Sequence, residues 1–155
     1  MIQGQSSDTP IYPIGAVARL LGVSVHTLRM YEREGLILAH HAESGRRLYS
    51  QRDVERLECI RTTINVEKIS IQGIKRVLTM IPCWAIIGCP KSELEVCPAY
   101  TGHSGPCWSI REKVPFCQSR SCRECHVYTD LSECSKIKEK MKSLLKTRQQ
   151  HEPNA

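Results

Sequence analysis

Three cysteines fall within nine residues of this chain, Cys117, Cys122 and Cys125 in "CQSRSCREC", and four more stand at Cys83, Cys89, Cys97 and Cys107. Thiolates in groups of four are what zinc and iron–sulfur centres require, because soft sulfur ligands favour those metals and a closed set excludes water. The C-x4-C-x2-C run has the spacing of a plant-type ferredoxin segment, which needs one more distant cysteine. Its C-x2-C pair would serve either metal. The seven residues are therefore the candidate metal ligands, with an iron–sulfur cluster preferred as cofactor and zinc as the alternative.

Other residues of the same chemistry read differently. Cys134 falls at an apolar position of a helical pattern and is as much a small buried hydrophobe as a ligand. Cys59, inside a helix of the other half, reads as structural. His103 and His126 are lone loop histidines, read as solvated. "CRECH", residues 122–126, also matches the attachment site of c-type haem, but that chemistry needs export from the cytoplasm. A thiol–disulfide enzyme using Cys122 and Cys125 is disfavoured because no βαβ pattern surrounds the pair. No Gly-rich phosphate loop, Ser/His/Asp set or paired carboxylates stand out, so no enzyme is expected.

The N-terminus "MIQGQSSDTPIYPIG" shows no export signal, and no run of about 18 apolar residues occurs. A soluble, cytoplasmic protein with no membrane partner is expected. In a reducing cytosol a disulfide framework is disfavoured. The chain holds a single Phe and two Trp, so a Cys-rich portion of under about 60 residues needs a metal staple. The net charge of +6 divides into +3 over residues 1–81, zero over 82–130 and +3 over 131–155. Two basic ends around a neutral middle suit a polyanionic partner.

Periodicity supplies the elements that would carry these groups. Ile14, Val17, Ala18 and Leu21 follow helical spacing, with Pro13 near the start and Gly22 past the end. Ser24 caps a second helix, "VHTLRMYERE", closed by Gly35. "LILAHHAESGRRLYS" reads as a β-hairpin with basic residues at its tip. Ser50 and Asp53 have capping-box spacing before Val54, Leu57, Ile60 and Ile64, and a fourth helix from about Ser70 carries Ile71, Ile74, Val77, Leu78 and Ile81 until Pro82. Periodicity then lapses for roughly 45 residues and returns in a basic helix from about Ser132 to Gln149. The expected fold is mainly α with a small β-hairpin wing. Its divisions are a tail at 1–10, a winged helix-turn-helix at 11–81, a metal-stapled Cys-rich module at 82–130, and a C-terminal helix and tail at 131–155. On the second helix His26, Thr27, Arg29 and Tyr31 would face DNA while Val25 and Leu28 face inward.

"YPIGAVARLLGVSVHTLRMYEREGLI", "GRRLYSQRDVERL" and "ISIQGIKRVL", in that order, resemble the winged helix-turn-helix domain of MerR-type transcriptional regulators over residues 12–81, nearest the heat-shock-repressor branch. The resemblance implies double-stranded DNA as partner, a homodimer and contact with RNA polymerase. It places Thr27, Arg29 and Tyr31 where the recognition helix meets DNA, and Arg46, Arg47 and Tyr49 in the wing. The family dimerises through a long helix after this domain. Here Pro82 and the cysteines occupy that position, leaving the shorter C-terminal helix as the expected seam. The set of two "PCW" triplets, "CPAY", the Cys117 to Cys125 run and Tyr128 resembles a small seven-cysteine module appended to bacterial signalling proteins.

Overall fold

The computed structural model describes residues 6–102, 105–110, 112–130, 139, 142–143 and 146. The first five residues of the expected tail, His103 and Cys134 lie outside the described residues. So does most of the expected C-terminal helix, of which 139, 142, 143 and 146 are helical, with Lys142 Nζ 3.0 Å from the Glu139 carboxylate. The fold is mainly helical with one small antiparallel sheet, and the chain divides into two compact units, Met1–Lys75 and Arg76–Ala155.

In the first unit a two-residue strand β1 (Tyr12–Pro13) leads into α1 (Ile14–Leu21), which buries Val17, Ala18 and Leu21. Gly22 ends that helix in the left-handed region, φ 63°, where a residue without Cβ is unstrained. Ser24 Oγ accepts the Thr27 N–H at 3.0 Å and so starts α2 (Val25–Arg33), whose buried side chains are Leu28 and Tyr31. Leu36 and Ile37 follow, both wholly buried.

The expected hairpin forms from β2 (His40–His41) and β3 (Arg47–Tyr49), but it is not alone. Strand β1 adds to the other edge of β3, giving the order β1-β3-β2 with Tyr12 opposite Tyr49 and His41 opposite Arg47. Two residues are too few to show a period of two, so this strand has no signature in the sequence.

Helix α3 (Gln51–Asn65) opens on a complete capping box between Ser50 and the buried Asp53, and packs Val54, Leu57 and Ile60 inward. Two of its arginines tie it to the helix-turn-helix. Arg56 Nε donates to the Leu36 carbonyl at 3.0 Å, and Arg61 Nη1 donates to the Leu21 carbonyl. Helix α4 (Ile71–Thr79) follows, and the division between the units falls within it. Leu78 is buried as expected, whereas Val77 is 48% exposed.

The second unit is built from single turns: α5 (Cys83–Ile87), α6 (Lys91–Leu94), α7 (Pro98–Thr101), a 3-10 turn at Cys107–Ser109, α8 (Pro115–Gln118), a 3-10 turn at Cys122–Glu124, and α9 (His126–Thr129). Proline sits at or just inside the start of five of these, where its fixed φ helps and its missing N–H costs nothing. A small core of Trp108, Ile110, Val114, Val127 and Tyr128 lies between them. Among the described residues no helix is long and apolar enough to cross a membrane.

Candidate nucleic-acid interface and candidate metal centre

Three expected DNA-binding residues meet in the first unit. Arg29 on α2, Arg46 at the turn and Arg47 on β3 line one open groove of about 400 Å³, together with Pro13, Ile14, Gly15, Gly45 and Leu48. Arg29 and Arg46 are exposed. The groove runs between the second helix of the helix-turn-helix and the wing, and its guanidinium groups have the planar, forked geometry that suits phosphate and guanine. Thr27 does not line the groove; its Oγ1 lies 2.9 Å from Ser24 Oγ at the helix start.

The two tyrosines expected at the DNA surface are instead in the core. Tyr31 is 5% exposed and Tyr49 is wholly buried. An aromatic residue on an amphipathic helix or a short strand supplies packing area first, and both positions face inward here. Burial, with Glu32 nearby, pushes the Tyr49 phenol up to about 12, and its hydroxyl finds no partner among the described residues.

Sequence reasoning missed Glu32. From α2 it reaches the wing with both oxygens, Oε2 accepting from Arg47 Nε at 2.6 Å and Oε1 lying 3.3 Å from His41 Nε2. Arg47 is thus a wing anchor as well as a lining residue. The signal available was an acidic residue in the middle of an otherwise basic recognition surface.

In the second unit all seven candidate ligands, Cys83, Cys89, Cys97, Cys107, Cys117, Cys122 and Cys125, line a single apolar cavity of about 50 Å³ and are free thiols. Cys59, on α3, is disulfide-bonded rather than a free thiol of the set. The Cys83 and Cys107 thiols are hydrogen-bonded to each other, which lowers the pKa of Cys83 and raises that of Cys107, whose burial pushes it up further. Burial pushes the Cys117 thiol up to about 11, with Cys89, Cys83, Cys97 and Cys125 near enough to add to the effect. Cys89 is raised by burial and then by Cys97.

Two cations, Lys113 and Arg120, also line the cavity, and Lys113 Nζ donates to Cys122 Sγ at 2.6 Å. They would offset the negative charge of a thiolate-ligated centre. Among the described residues no three thiol, imidazole or carboxylate groups close on one point. The sulfurs border the wall of one cavity instead.

The module is also an internal repeat, which the two "PCW" triplets announced only in part. Pro82-Cys83-Trp84 and Pro106-Cys107-Trp108 begin the halves, and Cys97-x-x-Tyr100-Thr101 and Cys125-x-x-Tyr128-Thr129 end them. Trp84 meets Tyr100 edge to face at 5.0 Å between ring centroids, and Trp108 meets Tyr128 in the same way at 5.2 Å. The backbone repeats as well. Ala85 and Ser109 donate back to Pro82 and Pro106 at 3.0 and 2.9 Å, while Tyr100 and Tyr128 donate to Cys97 and Cys125 at 3.0 and 2.9 Å. Reading C-x-x-Y-T twice would have found it.

Comparison with known proteins bears on the first unit. Residues 12–81 match the family described as MerR HTH family regulatory protein. The heat shock protein HspR of Streptomyces coelicolor is 37% identical over 75 residues, covering 48% of this chain and 50% of that protein. The HTH-type transcriptional regulator GlnR of Bacillus anthracis is 35% identical over 73 residues, 47% of this chain and 56% of that one. The HTH-type transcriptional regulator ZntR homolog of Haemophilus influenzae is 40% identical over 68 residues, 43% and 50%. The chain spans about half the length of these relatives.

Proposed function

Residues 12–81 are a MerR-type helix-turn-helix domain, and from that premise we propose that the protein is a DNA-binding transcriptional regulator whose second unit carries a thiolate-ligated metal centre. The DNA reading is supported by the Arg29, Arg46 and Arg47 groove between α2 and the wing. Arg29 reads bases from the recognition helix, while Arg46 grips phosphate from the wing. Glu32 holds the wing at a fixed distance from α2 through Arg47. Binding to a two-fold operator requires a homodimer, and the family resemblance adds RNA polymerase as a proposed partner.

The single observation that carries the metal reading is the cavity bordered by seven free thiols. An iron–sulfur cluster is the group whose corner ligands fit sulfurs spread around a volume, and it would supply sensitivity to oxygen, nitric oxide or redox state. The chain's own part is mechanical. The one-turn helices α5 to α9 are positioned by the cysteines, and the chain passes between the units within α4, four residues before Cys83. A rearrangement of the thiols is thereby linked to the DNA-binding unit, and a coupling of about 1–3 kcal/mol would be enough for regulation. The mutual contact of Cys83 and Cys107 favours a second reading, structural zinc, whose tetrahedral ligands lie side by side.

Iron, zinc and acid-labile sulfide content, with the visible spectrum of protein purified without oxygen, tests the reading. Iron with sulfide and a broad charge-transfer band is expected. Colourless protein holding zinc establishes the second reading, and protein holding neither refutes both.

A further inference from the structure

Resting on the DNA-binding reading above, we infer that Glu32 is the positioning residue of the DNA surface, and that Arg47, although it lines the groove, holds the wing in place instead of gripping phosphate. Glu32 divides its carboxylate between the two strands of the wing. Oε2 accepts from Arg47 Nε on β3 at 2.6 Å, and Oε1 lies 3.3 Å from His41 Nε2 on β2. His41 and Arg47 face each other in the strand register, so one side chain of α2 grips both strands at a single level. The turn of the wing begins at the next residue on each strand, where the Ala42 N–H donates to the Arg46 carbonyl at 2.9 Å.

Two exposed cations depend on that level. Arg29 stands three residues before Glu32, on the same face of α2, and Arg46 adjoins Arg47 at the turn. The spacing between Arg29 and Arg46 is therefore set by the grip of Glu32 on the wing. A reader of bases and a holder of phosphate act together only at a fixed separation.

Charge gives Arg47 the other role. The charges of Arg47 and Glu32 sum to zero, and a phosphate drawn to that guanidinium also meets the carboxylate bonded to it, so the pair releases no net counterion. With the Arg47 side chain 35% exposed, such an ion pair contributes little to stability. Geometry is what it supplies.

The test uses the full chain, titrated across salt with a random-sequence duplex pool and with the duplex that the protein enriches from that pool. Glu32→Gln, Arg47→Gln and the double variant are compared with wild type at equal far-ultraviolet helical signal. Arg47→Gln alone is expected to leave the slope of log affinity against log salt unchanged. Its preference for the enriched duplex should fall at least about fivefold, the lower end of what one base contact discriminates. Glu32→Gln frees Arg47 and is expected to steepen the slope by about 1, to tighten binding of the pool and to lower the preference to a similar extent. Adding Arg47→Gln to it should return the slope to the wild-type value. A slope lowered by about 1 in Arg47→Gln makes Arg47 a phosphate contact and overturns the assignment alone, as does a preference that Glu32→Gln leaves intact. Because a variant can fail to fold, wild-type protein nitrogen-labelled at arginine is also titrated with the enriched duplex and followed by NMR. The Arg47 Nε–H resonance is expected to stay in place while those of Arg29 and Arg46 move, and a movement of Arg47 equal to theirs overturns the assignment too. Wild-type protein that enriches no duplex and binds the pool without salt dependence overturns the DNA-binding reading and the assignment with it.

Discussion

Tyr49 is wholly enclosed, and its hydroxyl has no hydrogen-bond partner among the described residues. A buried hydroxyl left unsatisfied costs about 1–3 kcal/mol, so its removal without change of shape is neutral or stabilising. Tyr49→Phe is therefore expected to leave urea-unfolding stability unchanged or to raise it by about 1 kcal/mol at neutral pH. A clear loss would mean that the hydroxyl has a partner in solution. The same burial, with Glu32 nearby, puts the phenol at about 12 in the folded chain, against about 10 when unfolded. The shift leaves stability untouched below pH 10 and lowers it as the pH rises through 10 to 12, because the unfolded chain releases the proton first. Wild type should lose stability over that window faster than Tyr49→Phe, and parallel curves would contradict the shift. Arg56 is the opposite case. Its Nε serves the Leu36 carbonyl in the core, so Arg56→Met should cost about 1–3 kcal/mol in the same experiment.

At the scale of elements, the proposed division of DNA contacts between α2 and the wing can be separated by salt dependence. Each phosphate contact contributes about 0.9 to the slope of log affinity against log salt. Arg46→Ala should weaken binding to operator and random DNA alike and lower that slope by about 1. Arg29→Ala should instead cost about 1–3 kcal/mol on the operator, with little loss on random DNA. Equal effects of the two variants in gel-shift titrations across salt would remove the distinction between recognition helix and wing. The helices carrying these residues were legible because each has a physical punctuation mark: Ser24 and Ser50 as caps, Gly22 at φ 63°, Pro82 as a stop. What was illegible had fewer residues than a period. Strand β1 has two residues, and the turns of the second unit have three to five. Tyr31 and Tyr49 were misplaced for a related reason, since a lone aromatic on a short amphipathic element gives no sign of which side it packs. The seven cysteines were visible as a set. Their convergence on one cavity was not, because it depends on how the one-turn helices stack.

At the scale of the whole molecule the two units have different grounds for being folded. The first encloses Leu28, Leu36, Ile37, Tyr49 and Leu57 almost completely, in a core made by helices and a sheet, with a complete capping box on α3. Among the described residues from 82 to 130, the second has few buried side chains and single-turn helices too short to persist alone. On the proposed metal reading, a segment that buries so little would depend on the thiolate-ligated centre for stability. Removing metal from loaded protein with a chelator is thus expected to unfold the second unit and spare the first. Both tryptophans, Trp84 and Trp108, lie in the second unit, and Trp108 is buried against Tyr128, so tryptophan emission reports on that unit alone. Chelation should move it to the red and raise its access to quencher, while most of the far-ultraviolet helical signal stays. Unchanged emission after complete metal removal would show that the second unit holds its shape by packing, which would make the thiols passengers of the fold. A parallel loss of both signals would show instead that α4 makes the two units a single cooperative structure, and any signal received at the cysteines would then act on the stability of the DNA-binding domain itself.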